Sequence, residues 1–434
     1  MRSFKLIPLA FAVLTGFFAS ALSADPLDDQ INASIQKYLT SVQSYGISTI
    51  QLSVLLPNET QPRNYVTGTQ YYGTSDKTPA STDMMVQWGS ITKEYTNVLV
   101  FKLIQKGKFT LDDTLVQLFP ENFSKDQNSS QIWPDAWRDV KLYQLMNMTS
   151  GITDYTSTPS FPTGDGPIPP QPHYSLEDLT NMAAQYQEKS GCKADLGCFP
   201  VGSNYFYSNT NYIILGEVVQ KYSGHSFTHE MEHLLSHFQD SKNHVYYYIG
   251  HSYPNFILKN MIHGYDSPTK PIETIDMTNY DMSWAASAGA MIGNMNALIN
   301  MTQALYTAIS NNQNNLVPIN LLEQHVVKES NGQPVSPDQI NTECALGNND
   351  NECYAMGLYL FGVPNIGMVY GYEGQTYGYD TSYFRIPLNQ SQYVIAAGSM
   401  NVGITGRASS ISISDEVFNV GILVKNYLSK KMTS

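Results

Sequence analysis

Two short patterns in this chain hold residue types that do chemistry, at spacings that would bring them together. Ser90 and Lys93, in Gly-Ser-Ile-Thr-Lys-Glu, stand three apart at the start of an apolar run. Residues three apart on a helix share a face, which sets the lysine amine against the serine hydroxyl. Burial and the positive end of the helix dipole both disfavour an ammonium, so Lys93 would accept the serine proton and make Ser90 a nucleophile. The spacing alone is weak: Ser34 with Lys37 and Ser190 with Lys193 repeat it, and a serine in such a place commonly caps a helix. The second pattern is His229-Glu230-Met231-Glu232-His233, which would put two imidazoles one turn apart beside a general base, as in zinc peptidases. The extended zinc motif wants Gly and His where Ser236 and Gln239 stand. Surface or packing histidines are the plainer reading, followed by an adventitious metal site of His229 and His233 with His225 or His237.

What sets Ser90 apart is its company. Tyr207-Ser208-Asn209 precedes an apolar helix; its phenol would relay a proton to a leaving group and its asparagine would hold a substrate amide. Further on, Gly-Tyr-Glu-Gly-Gln at 371–375 sets Gly374 in a strand, where a missing side chain lets a substrate lie along the edge. Ser-x-x-Lys, Tyr-x-Asn and the glycine-rich strand, in that order, resemble the three motifs of the serine β-lactamase and penicillin-binding superfamily. The Tyr-x-Asn form is similar to its class C β-lactamase and D-alanyl-D-alanine carboxypeptidase branch. Linking segments such as LYQLMNMTSGITDY and SAGAMIGNMNALINMTQAL extend the likeness over roughly 30–430.

The resemblance implies an α+β, β-lactamase/transpeptidase-like fold: an antiparallel sheet flanked by helices, built from both ends of the chain, with a mostly helical insertion at roughly 110–300. It implies Ser90 as nucleophile, Lys93 as base, Tyr207 as relay and Asn209 as substrate contact, with the backbone amides of Ser90 and Gln375 as oxyanion hole and no cofactor or metal. One position departs from the pattern. Tyr372 stands where the family carries a lysine or histidine that pairs with a substrate carboxylate. Either another cation such as Arg385 takes that part, or the substrate has no carboxylate there. The implied activity is a D-alanyl-D-alanine carboxypeptidase-like peptidase, with a carboxylesterase or β-lactamase as alternatives. A non-catalytic peptide-binding descendant is a further alternative, against which the full Ser90, Lys93, Tyr207 and Asn209 set argues.

The elements that must position these residues are legible as patterns. Pro26 to Val42 reads as a helix, followed by a hairpin from GISTIQLSVLL and RNYVTGTQYYG. Ser90 to Gln105 reads as a buried helix ended by Gly107, with a second helix from near Tyr212. The chain closes with β-rich runs and a helix from about Ser414 to Leu428, while PSFPTGDGPIPPQPHY reads as a surface loop. Residues 1–24 carry Arg2 and Lys5, an apolar stretch and small residues, a signal-peptide pattern that leaves 25–434 as an exported, secreted or periplasmic hydrolase. No later run has the roughly 20 apolar residues of a membrane span. The four cysteines form two close pairs, Cys192 with Cys198 and Cys344 with Cys353, which suggests two local disulfides, although three connectivities are formally open. A net charge of −13 excludes a broad basic face for nucleic acid. The expected partner is a small molecule or peptide, a cell-wall peptide among them.

Overall fold

The computed structural model describes residues 25–124, 132–161, 172–189, 192–266, 275–311, 324–345, 352–389, 391–402 and 411–433. The signal-peptide reading of 1–24 and most of the proline-rich loop at 159–174 lie outside these residues. The longer helices are α1 (Pro26–Val42), α2 (Thr92–Gln105), α3 (Leu176–Lys189), α4 (Asn209–Ser223), α5 (Phe227–Leu235), α6 (Met295–Asn311) and α7 (Ile413–Thr433). β1 (Thr49–Leu55) and β2 (Arg63–Gly68) form the expected hairpin. They share a sheet with β3 (Val327–Lys328), β4 (Cys353–Tyr354), β5 (Tyr359–Val363), β6 (Gly367–Gln375), β7 (Asp380–Pro387) and β8 (Tyr393–Met400). Its order is β2-β1-β8-β7-β6-β5-β4-β3, antiparallel at each pairing.

Strand alternation gives this sheet two apolar faces. On β8, Val394 and Ala396 join one core while Ile395 and Ala397 join the other. The first core is closed by the two ends of the chain: Ile31 and Ile35 of α1 and Val417, Val420 and Val424 of α7. Arg63 pins α1 to the sheet by ion pairs to Asp25 and Asp28, both at 3.0 Å. The second core holds α2, which is buried nearly all round and therefore central: Val98, Val100 and Phe101 are buried, each contributing roughly 1.5–3 kcal/mol by leaving water. α4, α5 and α6 surround it. This is the α+β arrangement of antiparallel sheet, flanking helices and helical insertion that the motif order implies.

Two boundaries differ from expectation. The nucleophile's helix opens with a tight turn, Gly89–Ile91, before α2 begins at Thr92. α4 begins at Asn209 rather than near Tyr212, which puts the asparagine in the first helical turn. Both close cysteine pairs are disulfides, Cys192–Cys198 and Cys344–Cys353. Among the described residues no helix is long and apolar enough to cross a membrane.

Candidate active site

Ser90 sits in the turn that leads into α2, and the backbone there is set by glycine. Gly89 has φ +54°, a left-handed conformation that costs other residues energy. A β-carbon on Gly89 would lie 2.6 Å from the Gln375 backbone nitrogen, and one on Gly374 would lie 2.8 Å from the Ser90 nitrogen and 1.9 Å from the Trp88 carbonyl. Only side chains reduced to hydrogen let the end of β6 close against the serine turn. The amides of Ser90 and Gln375 consequently border one small space. Trp88, fixed by a bond from its indole nitrogen to the Gly293 carbonyl at 3.0 Å, holds the turn from behind.

Lys93 is the second residue of α2, one turn beyond Ser90, and is fully buried. Its Nζ donates to Ser90 Oγ at 2.8 Å, to Asn209 Oδ1 at 2.8 Å and to the Ala288 carbonyl at 2.9 Å. Burial brings its pKa down to about 7, against the pull of the Asp154 carboxylate, which favours the ammonium. The amine is therefore poised to exchange a proton with Ser90 near neutral pH. Ala288 is held in place by its neighbours: the Ser287 carbonyl accepts from Thr96 at 2.6 Å, and Ser287 Oγ donates to the Tyr212 carbonyl at 2.9 Å.

Tyr207 stands beside this pair, its ring 5.0 Å from Lys93 Nζ. Its hydroxyl lies 3.4 Å from that of Tyr372, and the Ser90 hydroxyl is close enough to act on its ionisation. Burial holds the phenols of Tyr207, Tyr354 and Tyr372 above the usual tyrosine range, so each keeps its proton at neutral pH. A protonated Tyr207 can donate a hydrogen bond and is not a resident base. Tyr372 and Tyr354 share a hydroxyl contact of 2.6 Å, which makes a chain of phenols from Tyr207 into the sheet.

Ser90, Lys93, Tyr207, Asn209, Tyr372, Gly374 and Gln375 are all brought together. Asn209 is more committed than a plain substrate contact: its Oδ1 takes the Lys93 proton donor and its Nδ2 donates to Asp154 Oδ2 at 2.9 Å. Sequence reasoning missed Asp154 as a site residue, although SGITDY was among the segments that carried the family likeness. It missed the Ala288 carbonyl and Tyr354 as well, and no spacing rule reaches across such separations. Arg385 does not take over the cation's part. It pairs across the sheet with Tyr370, roughly 16 Å along the strand from Gln375 at about 3.3 Å per residue, and its guanidinium lies over the rings of Tyr393 at 3.2 Å and Tyr306 at 4.4 Å.

The histidine pattern on α5 does not assemble as a zinc peptidase would. Glu230 is engaged with His225 at 2.9 Å, and the donor atoms that converge belong to His225, His229 and Glu230, not to His233. His233 instead meets His237, the rings 5.1 Å apart. A cavity of about 350 Å³ lined by Glu329, Glu352, Glu373, Phe384 and Phe418 lies against α7. Tyr372 also borders this cavity, while strand alternation turns the Glu373 side chain to the opposite face of the sheet.

Comparison with known proteins agrees with this geometry. The family described as Beta-lactamase matches residues 35–402. The chain belongs to the Beta-lactamase family. Its fold is shared with a D-stereospecific amidohydrolase from Streptomyces sp., at a TM-score of 0.66 and 20% identity over 90% of this chain and 98% of that one. A D-amino acid amidase from Ochrobactrum anthropi superposes at 0.65 and 17% identity, over 93% and 100% of the two chains. A class C beta-lactamase gives 0.59 and 15% identity over 91% and 94%. A curated relative, Protein flp from Staphylococcus aureus, is 27% identical over 164 residues, 37% of this chain and 28% of that protein. The Beta-lactamase family is one of serine hydrolases, and in this chain Ser90, Lys93 and Tyr207 meet in one place.

Proposed function

We propose that the chain is an exported serine amidase that forms an acyl-enzyme on Ser90 and accepts substrates with no carboxylate on the leaving-group side. The observation that carries this is Tyr372, a buried phenol in contact with Tyr354 and Tyr207, at the position where a carboxylate-binding cation would stand. A neutral phenol donates one hydrogen bond, which is a poor match for a desolvated anion. The named activities of the amidohydrolase and the amidase that share the fold support the amide of a D-amino acid. The two disulfides support export.

The chemistry follows from the contacts. Neutral Lys93 takes the Ser90 proton as Oγ attacks the carbonyl, and the amides of Ser90 and Gln375 receive the oxyanion. Tyr207 passes a proton to the departing amine and is resupplied from Lys93. Water then attacks the ester on Ser90, its proton returns through Lys93, and the acid leaves. Asn209 and Asp154 hold the lysine on its line of approach.

The test compares D-phenylalanine amide with an acylated D-alanyl-D-alanine that has a free carboxylate, using Ser90→Ala as the blank. We expect kcat/KM for the amide to exceed that for the peptide at least about tenfold, with both rates lost in the variant. Preference for the carboxylate-bearing peptide would instead favour a D-alanyl-D-alanine carboxypeptidase-like enzyme. That second reading draws on the motif order and on fold neighbours such as the penicillin-binding protein homologue of Pyrococcus abyssi, at a TM-score of 0.63 and 16% identity.

A further inference from the structure

A second group of chemically capable side chains lies outside the serine site. His173 precedes α3, His251 follows the short strand Val245–Tyr247, and Asp281 caps the turn Met282–Trp284. Although far apart in sequence, their donor atoms converge within 4.8 Å of one another. The Nδ1 atoms of His173 and His251 each lie 3.0 Å from the same oxygen, Asp281 Oδ2. The Asp281 side chain is 5% exposed and those of the histidines 41% and 74%, so a buried carboxylate anchors two imidazoles that reach solvent.

From this we propose a binding site for a divalent transition ion of the zinc class, held by His173, His251 and Asp281. Two imidazoles and one carboxylate are a donor set suited to Zn²⁺, Co²⁺ or Ni²⁺ rather than to Mg²⁺ or Ca²⁺, which favour oxygen. A tetrahedral ion bound at about 2.1 Å sets its donors about 3.4 Å apart, so the two imidazoles need withdraw only a few tenths of an ångström from their 3.0 Å contacts with Asp281 to admit it. The donors are also held before any ion arrives. Asp281 Oδ1 accepts from the Ser283 amide at 2.9 Å, and Ser283 Oγ accepts from the Tyr174 amide at 2.9 Å, next to His173. The Tyr253 amide donates to Asn279 Oδ1 at 2.7 Å, which ties the His251 loop to the Asp281 segment. Trp284, three residues after Asp281, lies over Tyr377 with ring centroids 5.0 Å apart, two residues beyond Gln375. An ion here staples three separate segments beside the substrate cleft and leaves coordination positions open to water.

Untagged protein titrated with Zn²⁺ by calorimetry, and with Co²⁺ followed by its visible absorption, tests the site. The parent takes up Zn²⁺ and its Tm rises by several degrees. His173→Ala and His251→Ala each weaken binding at least tenfold and remove the Tm shift, while His229→Ala, in the separate exposed cluster on α5, leaves both unchanged. Phosphonylation of Ser90 by a fluorophosphonate, with loss of fluoride, persists after chelation, because the nucleophile does not touch the ion. Failure to bind Zn²⁺ overturns the proposal, as does binding that survives His251→Ala or is lost in His229→Ala. His251 is largely exposed, so its truncation does not threaten the fold.

Discussion

In the proposed mechanism Lys93 is the base; it is surrounded by acceptors yet removed from water, and two opposed effects set its proton affinity. Burial lowers the pKa and the Asp154 carboxylate raises it, with burial the larger, so the amine ends near 7. Only the neutral amine accepts the Ser90 proton. The kcat/KM of the enzyme should therefore climb with unit slope on a logarithmic scale below about pH 7 and level off above it. Asp154→Asn removes the charge that favours the ammonium. The acidic limb should then move to lower pH by about one unit, the scale of a close opposite charge. A pH–rate profile of parent and variant decides this: an unmoved limb would mean that Asp154 only holds Asn209 and does not tune the base. The residue-level pattern was half legible in the sequence. Ser90, Lys93, Tyr207 and Asn209 follow a spaced signature, whereas Asp154 acts through an asparagine more than fifty positions away.

Among the elements, the catalytic geometry depends on how the end of β6 meets the turn before α2. Gly89 and Gly374 face each other there with room for hydrogen only. Gly374→Ala would drive a methyl into the Trp88 carbonyl and push β6 away from the Ser90 amide, widening the oxyanion space. Losing one such donor costs about 10²–10³ in kcat, and we expect a loss of that order with far-UV dichroism unchanged. Retention of more than about a tenth of parental kcat would argue that Gln375 contributes no donor. Periodicity gave the hairpin, α1, α2 and α7 because apolar faces leave a repeating trace. It gave neither the tight turn before α2 nor the early start of α4 at Asn209, since those ends are fixed by long-range contacts of Trp88, Asp154 and Lys93. The disulfides were legible because two close cysteine pairs have few partners to choose among. The fate of Arg385 was not, because its aromatic bed comes from Tyr306 and Tyr393 on other elements.

Seen across the molecule, the residue beside Lys93 is held without charge. Glu94 is fully buried, accepts a hydrogen bond from Tyr383, and is pushed up to about 8 by burial. Its partners come from the sheet, while Lys93 faces the serine turn and α4. At neutral pH Glu94 is a neutral acid, and no second carboxylate beside Asp154 draws Lys93 toward its ammonium form. The same arrangement fixes a stability trend. An acid raised on folding keeps a proton that the unfolded chain gives up above 4.5, so stability falls as pH climbs from about 4.5 to 8. Asp380 and Glu329, both raised to about 7 by burial, add to the fall. His325, lowered by burial, opposes it below 6.5, and Lys93 opposes it only above about 7. Urea unfolding between pH 5 and 7 should show a decline, and Glu94→Gln should flatten it by about 1.4 kcal/mol per pH unit. The kinetic limb near pH 7 should stay where it is, because glutamine replaces one neutral group with another. A limb displaced to lower pH in Glu94→Gln would show that Glu94 is ionised beside the base, and a pH–stability slope equal to the parent's would say the same.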